Sequence, residues 1–208
     1  MNYKEKYRQW LAFADPDTKA ELESLTDEKE IEDRFYKDLA FGTGGLRGIM
    51  GAGSNRMNRY TVGKATLGLA NYLKSTGKAD LKVAIAYDSR NNSADFAKTA
   101  AGIFANCGLQ VYLYDRLVPA PVLSFTTRMI TASHNPKEYN GYKVYDAKGC
   151  QLCTADAAAA LGYINAVDDY NAIPFCSDHA NIHPVGDREL DAFIAAVEQQ
   201  SLYTQPSD

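Results

Sequence analysis

Cysteine, tryptophan and net charge are all scarce in this chain of 208 residues, and each scarcity narrows its class. There are four cysteines: Cys107, Cys150, Cys153 and Cys176. Cys150 and Cys153 form one C-x-x-C pair, but Cys107 and Cys176 supply no second pair at zinc-ligand spacing. A redox pair would open a helix after a strand, and Asp146-Ala147-Lys148-Gly149 reads as a turn instead. Reduced, unpaired thiols are the expectation. The net charge of −4 excludes the broad basic surface that nucleic acid would require. No apolar run approaches the ~20 residues of a membrane span. The opening residues Met1-Asn2-Tyr3-Lys4-Glu5-Lys6 lack the apolar core of a signal peptide, so a cytoplasmic setting is expected, with neither nucleic acid nor membrane as partner. Repeats and low-complexity tracts are missing as well.

What is present is ordinary for a globular chain: 46% hydrophobic and 23% charged residues, long enough to bury a core without staples. Residues 2–39 carry helical spacing, with Tyr7, Trp10, Leu11 and Ala14 followed by Leu22, Leu25, Ile31, Phe35 and Leu39. Asp15-Pro16 breaks that pattern, and Thr26-Asp27-Glu28-Lys29 restarts it. Thr61 reads as the cap of a helix bearing Val62, Ala65, Leu69, Ala70 and Leu73, closed by Gly77. Leu81–Tyr87 and Leu109–Tyr114 read as strands on either side of a helix that starts at Ser93. This strand-helix-strand rhythm predicts parallel neighbours in an α/β sheet. Asn140–Tyr145 reads as a strand, Thr154–Ile164 and Asp187–Gln200 as helices, and Asp168–Pro184 as irregular, with His179 and His183 on its surface.

Three segments carry chemistry. Thr131-Ala132-Ser133-His134-Asn135-Pro136, followed by Asn140-Gly141-Tyr142-Lys143, puts a hydroxyl, an imidazole and an ammonium on one polar stretch. Asn135-Pro136 and Asn140-Gly141 are turn signals that predict an exposed loop. A serine that carries a phosphoryl group needs such neighbours for its protons and for the phosphate charge. Gly42-Thr43-Gly44-Gly45-Leu46-Arg47-Gly48 is a glycine-rich loop with one fixed cation. It lacks the Gly-Lys-Ser/Thr ending of a P-loop, and Arg47 stands where a dinucleotide fingerprint has its last glycine. Ala86-Tyr87-Asp88-Ser89-Arg90 sits at the carboxyl end of a strand, where ligands collect in open α/β sheets.

Together with Pro119-Ala120-Pro121, these motifs resemble the alpha-D-phosphohexomutases, the family of phosphoglucomutase and phosphomannomutase, in the family's order over roughly residues 41 to 150. The long glycine loop and the helical N-terminus are most similar to the phosphoglucomutase and phosphopentomutase branch. The resemblance implies a three-layer α/β/α domain with a mixed, largely parallel sheet over 41–186, an N-terminal helical extension over 1–40, and a terminal helix over 187–208 leading to a second domain. It implies an intramolecular phosphotransferase acting on sugar phosphates through a phosphoserine at Ser133. His134, Lys143 and Arg47 would serve the transfer, and Arg47, Arg90, Asn135 and Lys143 the phosphate. A Mg²⁺ ion would be bound in part by the Ser133 phosphate, and glucose 1,6-bisphosphate would be the activator.

The chain departs from that family in two ways. The aspartate loop that completes the metal site, and the loops of the third and fourth domains, have no counterpart here, so a first-domain fragment inactive alone is expected. Arg128 also runs directly into Met129-Ile130-Thr131, where the family has a longer helix and a turn. That short connection predicts an internal deletion and favours a homo-oligomer or domain-swapped dimer. The competing reading is a non-catalytic domain that binds a sugar phosphate or a complementary chain.

Overall fold

The computed structural model describes residues 2–42, 45–118, 121–122, 138–146, 148–176 and 179–200. In chain order its elements are α1 (Tyr3–Phe13), α2 (Pro16–Glu23), α3 (Glu28–Phe35), β1 (Phe41–Gly42), β2 (Gly45–Ile49), α4 (Arg59–Ser75), β3 (Lys82–Ile85), α5 (Ser93–Asn106), β4 (Gln110–Tyr114), β5 (Tyr139–Lys143), α6 (Thr154–Asn165), a 3₁₀ turn (Tyr170–Ala172), β6 (Ile182–Val185) and α7 (Asp187–Gln199).

The first three helices start where side chains can satisfy free backbone N–H groups. Asn2 forms a capping box with Glu5, Asp15 accepts from Thr18 N–H ahead of Pro16, and Asp27 accepts from Lys29 N–H. Their apolar residues converge on an aromatic cluster. Trp10 is almost fully buried and meets the rings of Phe13, Phe35, Tyr60 and Tyr170 at centroid distances of 5.4, 5.8, 5.4 and 5.2 Å. Tyr60 belongs to α4, and its hydroxyl donates to Asp15 Oδ2 while accepting from Asp15 N–H, both at 2.7 Å. The N-terminal helices are therefore joined to the α/β portion by a core of their own.

Asn58, and not Thr61, caps α4. Its Oδ1 accepts from the N–H groups of Tyr60 and Thr61 at 3.0 Å, while Thr61 Oγ1 accepts from Asn58 N–H. Asn58 Nδ2 also donates to the Gly51 and Gly53 carbonyls at 2.9 Å, which ties the preceding loop to the helix start. At the other end of α4, Gly77 takes φ 65°, a left-handed closure that suits glycine.

The strands form two sheets of three. β3, β4 and β6 are parallel, in the order β3-β4-β6; β1, β2 and β5 are antiparallel, in the order β1-β2-β5. On one face of the parallel sheet Val83, Ile85 and Val111 join the core with Phe96, Ala100 and Phe104 of α5. On the other, Ala86, Tyr114 and Val185 meet Val118, Val122 and, from α7, Leu190 and Phe193. Helix, sheet and helix thus stack in layers. Leu46 and Tyr142 of the antiparallel sheet enter the same core as α4 and α6. Helices α4 and α6 approach so closely that a Cβ at Gly68 would overlap the Ile164 backbone.

Two more local expectations are corrected. Asn140-Gly141 makes no turn: both residues are buried inside β5, because the strand needs a polar anchor and a bare position there. The stretch Asp168–Pro184 is not irregular throughout, since Ile182–Val185 pairs with β4; His183 bonds Gln110 there at 2.6 Å. Thr154 starts α6 as expected, and Cys153 caps it: its Sγ accepts from Asp156 N–H at 3.5 Å and donates to the Asp156 carboxylate at 3.2 Å. The four cysteines are free thiols.

Candidate functional site

The antiparallel register decides what the site strands present. Gly45 lies opposite Lys143, Leu46 opposite Tyr142, Arg47 opposite Gly141, and Gly48 opposite Asn140. Directly opposed residues share a face, and alternation separates successive ones. Arg47 and Lys143 therefore stand on one face, diagonally placed with roughly 7–8 Å between backbone positions. Each cation faces a glycine, so neither opposing position contributes a side chain. Arg47 is exposed and Lys143 half-buried, and neither has a carboxylate partner among the described residues.

The opposite face of β5 is anchored in the core. Tyr142 is 1% exposed and its hydroxyl meets Thr66 Oγ1 of α4 at 3.2 Å. Burial pushes the Tyr142 phenol far above its ordinary value, with the Thr66 bond pulling weakly the other way, so it stays protonated. Asn140, 2% exposed, donates to the Asn91 carbonyl at 2.8 Å and to Ser93 Oγ at 3.1 Å. Gly45 is required where it stands, because a Cβ there would overlap the Tyr142 carbonyl. This segment is a glycine-rich strand from Gly45 onward, and its backbone pairs with β5.

Arg90 approaches the beginning of β5 from the loop between β3 and α5. Its Nη1 donates to the Tyr139 carbonyl at 3.2 Å, and its Nε lies 3.6 Å from Asp88 Oδ2. Asp88 Oδ1 accepts from Arg90 N–H at 3.1 Å and from Ser93 Oγ at 2.6 Å. The loop stands at the carboxyl end of β3, as expected, and α5 begins from Asn92 in a left-handed conformation with φ 62°.

Of the residues singled out in the sequence, Arg47 and Lys143 come together on one face, and Arg90 reaches the start of the same strand. Ser133, His134 and Asn135 lie outside the described residues, as does the connection around Arg128-Met129. Sequence reasoning misses Asn140, Ser93 and Thr66 as anchors. The signal that could find Asn140 is its phase: it is a polar residue on the same face as Tyr142, the strand's buried face.

Arg47 and Lys143, on one face and each opposite a glycine, repel each other and favour an anion with several acceptor oxygens. Among the described residues no group of three or more His, Cys, Asp or Glu side chains converges in the way a divalent cation demands. No helix among those residues is long and apolar enough to cross a membrane.

Comparison with known proteins agrees with this geometry. Residues 38–171 match the family model described as phosphoglucomutase/phosphomannomutase, alpha/beta/alpha domain I. A phosphoglucomutase of Staphylococcus haemolyticus (strain JCSC1435) is 41% identical over 164 residues, covering 75% of this chain and 30% of that protein. A phosphoglucomutase of Staphylococcus aureus (strain USA300) is 38% identical over 194 residues, covering 87% of this chain and 35% of that protein. Among solved structures, a protein described as a phosphomannomutase, from Thermus thermophilus, superposes with a TM-score of 0.64 at 26% identity, over 79% of this chain and 36% of that one. A phosphoglucomutase/phosphomannomutase family protein from Burkholderia thailandensis shares the fold, with a TM-score of 0.60 at 16% identity over 79% of this chain and 36% of that one. The chain spans about a third of the length of the curated relatives it matches. With a domain-I match over most of its length, and relatives of this identity, the chain belongs to the phosphoglucomutase/phosphomannomutase family.

Proposed function

We propose that this chain carries the phosphoryl-transfer face of a sugar-phosphate mutase, with Ser133 as the serine that gives and takes the phosphoryl group. The observation that supports this most is the placement of Arg47 and Lys143 on one face of the β2–β5 ladder, each opposite a glycine. Two cations flanking a pair of glycines suit a phosphoryl group, whose charge spreads over three oxygens during transfer.

In the forward step the sugar hydroxyl oxygen forms a bond to phosphorus as the bond from Ser133 Oγ to phosphorus breaks. The hydroxyl proton passes to a neighbouring base, for which His134 and Lys143 are the candidates, and the freed Ser133 Oγ takes up a proton in exchange. The reverse step, after the bisphosphorylated sugar has turned over, returns a phosphoryl group to Ser133. Arg47 and Lys143 offset the phosphoryl charge, and Asn135 and Arg90 assist in holding phosphate. Such steps depend on positioning and charge, so the geometry of this face sets the rate.

Resemblance adds a Mg²⁺ ion bound by the Ser133 phosphate; when bound it would neutralise phosphoryl charge. The described residues offer no further ligand set for it, and the role of Arg47 and Lys143 stands without it. Glucose 1,6-bisphosphate is the proposed phosphoryl donor, the cytoplasm the proposed setting and a homo-oligomer or domain-swapped dimer the proposed assembly.

The test is incubation of the chain with glucose 1,6-bisphosphate and Mg²⁺, followed by intact mass and mapping of the modified peptide. One phosphate on Ser133, missing in Ser133→Ala, is expected. A chain that stays unmodified, or a mark that persists in Ser133→Ala, overturns the assignment. A coupled assay for conversion of glucose 1-phosphate to glucose 6-phosphate is expected to show no turnover by this chain alone.

A further inference from the structure

We propose that Asn140 is a positioning residue: through Ser93 and the Asn91 carbonyl it fixes the loop that carries Arg90 against the strand that carries Lys143. The inference rests on the phosphoryl-transfer reading above and names a residue that reading does not use.

Asn140 sits on the face of β5 turned away from Lys143, among buried groups. All of its polar capacity is spent on fastening. Its amide nitrogen donates to the Asn91 carbonyl at 2.8 Å and to Ser93 Oγ at 3.1 Å, and its carbonyl oxygen accepts from Gly141 N–H at 2.7 Å. Ser93 Oγ, itself buried, passes its own hydrogen to Asp88 Oδ1 at 2.6 Å. That carboxylate oxygen also accepts from Arg90 N–H at 3.1 Å. The donors all run one way, from amide to hydroxyl to carboxylate, an order in which each bond strengthens the next.

Arg90 closes the circuit from the other side. Its guanidinium donates to the carbonyl of Tyr139, the residue next to Asn140. The loop is thus fastened to two successive residues of β5, by its own side chain at Tyr139 and by the strand's side chain at Asn140. Between them lies Asn92 with φ 62°, a conformation that persists for a non-glycine residue where its surroundings over-determine it. Lys143 is three residues further along the same strand, so slack at Asn140 changes the separation of Arg90 from Lys143 and Arg47. Leucine at this position would remove the donor to the Asn91 carbonyl and Ser93 Oγ and the acceptor for Gly141 N–H. Aspartate would place a carboxylate against the Asn91 carbonyl with no hydrogen to give it.

The experiment follows phosphate uptake by Ser133 across a series of glucose 1,6-bisphosphate concentrations, by intact mass, with the melting temperature of every variant recorded. Asn140→Asp, Ser93→Ala and Arg90→Lys are compared singly and in pairs with wild type. Misplacement of a binding group predicts that Asn140→Asp lowers the uptake efficiency about ten- to hundredfold. Because the residue acts through Arg90, its effect shrinks to less than about twofold once Arg90→Lys is in place. A purely structural role gives effects that multiply fully in the pair, and that result overturns the proposal, as does unchanged uptake by folded Asn140→Asp. If Asn140→Asp fails to fold, Ser93→Ala, which deletes one hydroxyl, is judged by the same two criteria. Uptake by wild type with unaltered variants removes the clamp alone; no uptake by wild type removes the phosphoryl-transfer reading, and the clamp with it.

Discussion

Replacing Phe35 with alanine probes whether the N-terminal helices and the α/β portion unfold as one. Phe35 is fully buried at the end of α3, edge-on to Tyr7 at 5.6 Å and to Trp10 at 5.8 Å. Core replacement of phenylalanine by alanine costs about 3–5 kcal/mol. Two edge-to-face ring contacts, at about 0.5–1.5 kcal/mol each, account for about 1–3 kcal/mol of that. In a chain of this size about 1 kcal/mol moves the melting temperature by about 2–4 °C, so the expected fall is about 6–20 °C. Trp10 is the only tryptophan, so its fluorescence reports on the N-terminal cluster while far-UV circular dichroism reports on all helices. Because Tyr60 is shared between that cluster and α4, both signals should fall together, as one cooperative transition requires. The reasoning is refuted if fluorescence melts early while circular dichroism keeps the wild-type midpoint, or if the shift stays under about 3 °C.

Asn58→Ala removes a helix cap and two bonds to loop carbonyls, an expected loss of about 2–4 kcal/mol by urea unfolding; Asn58→Asp, which keeps the acceptor, should cost less. Gly45→Ala drives a Cβ into the Tyr142 carbonyl, and since backbone must yield, a loss of about 1–3 kcal/mol is expected, measured by thermal melting. The pH dependence has two limbs. Burial raises the Asp15 carboxyl, but the Thr18 N–H, the Tyr60 and Thr18 hydroxyls and the Arg59 charge outweigh it and hold it below its usual value. A depressed carboxylate stabilises the fold above the unfolded value near about 3.9, and that contribution is lost as pH falls through the folded value. Burial, followed by the bond to Asp15, pushes Tyr60 up to about 12. The unfolded chain then loses its proton first, near about 10, so stability falls as pH rises from there to about 12. Asp15→Asn should blunt both limbs in melting curves across that range, and an unchanged acid limb would sink the assignment.

The first three helices are legible because their apolar residues recur at helical spacing and their starts carry asparagine or aspartate. Thr61 misleads by one cap: Asn58 and Thr61 bond each other reciprocally, and only geometry tells which residue leads. β6 is hidden because Ile182-His183-Pro184-Val185 is short, contains proline and has weak alternation; it pairs only because β4 supplies a partner. β2 reads as a loop because glycine is a poor strand former, yet Gly45 and Gly48 are what the close packing against Tyr142 and Leu39 requires. For the site, motif alone points to Arg47, Lys143 and Arg90, whereas the common face of Arg47 and Lys143 follows from a register that no sequence states. The Asn140–Ser93–Asp88 chain is invisible for a related reason: Asn140 is far in sequence from Ser93 and Asp88, and only the placement of β5 brings it to them.

That register has a consequence for the order of events during synthesis. β3 and β4 emerge close together and pair with only α5 between them, but β2 pairs with a strand that follows it by roughly ninety residues. At about 5–20 residues per second, the nascent chain holds Leu46 without its Tyr142 neighbour for about 5–20 s. The face that carries Arg47 and Lys143 therefore waits for β5, and is assembled from one strand that has waited and one that has just left the ribosome. Slower translation before Tyr139 would prolong the exposure of an unpaired glycine-rich edge, and chaperone dependence should concentrate in that interval.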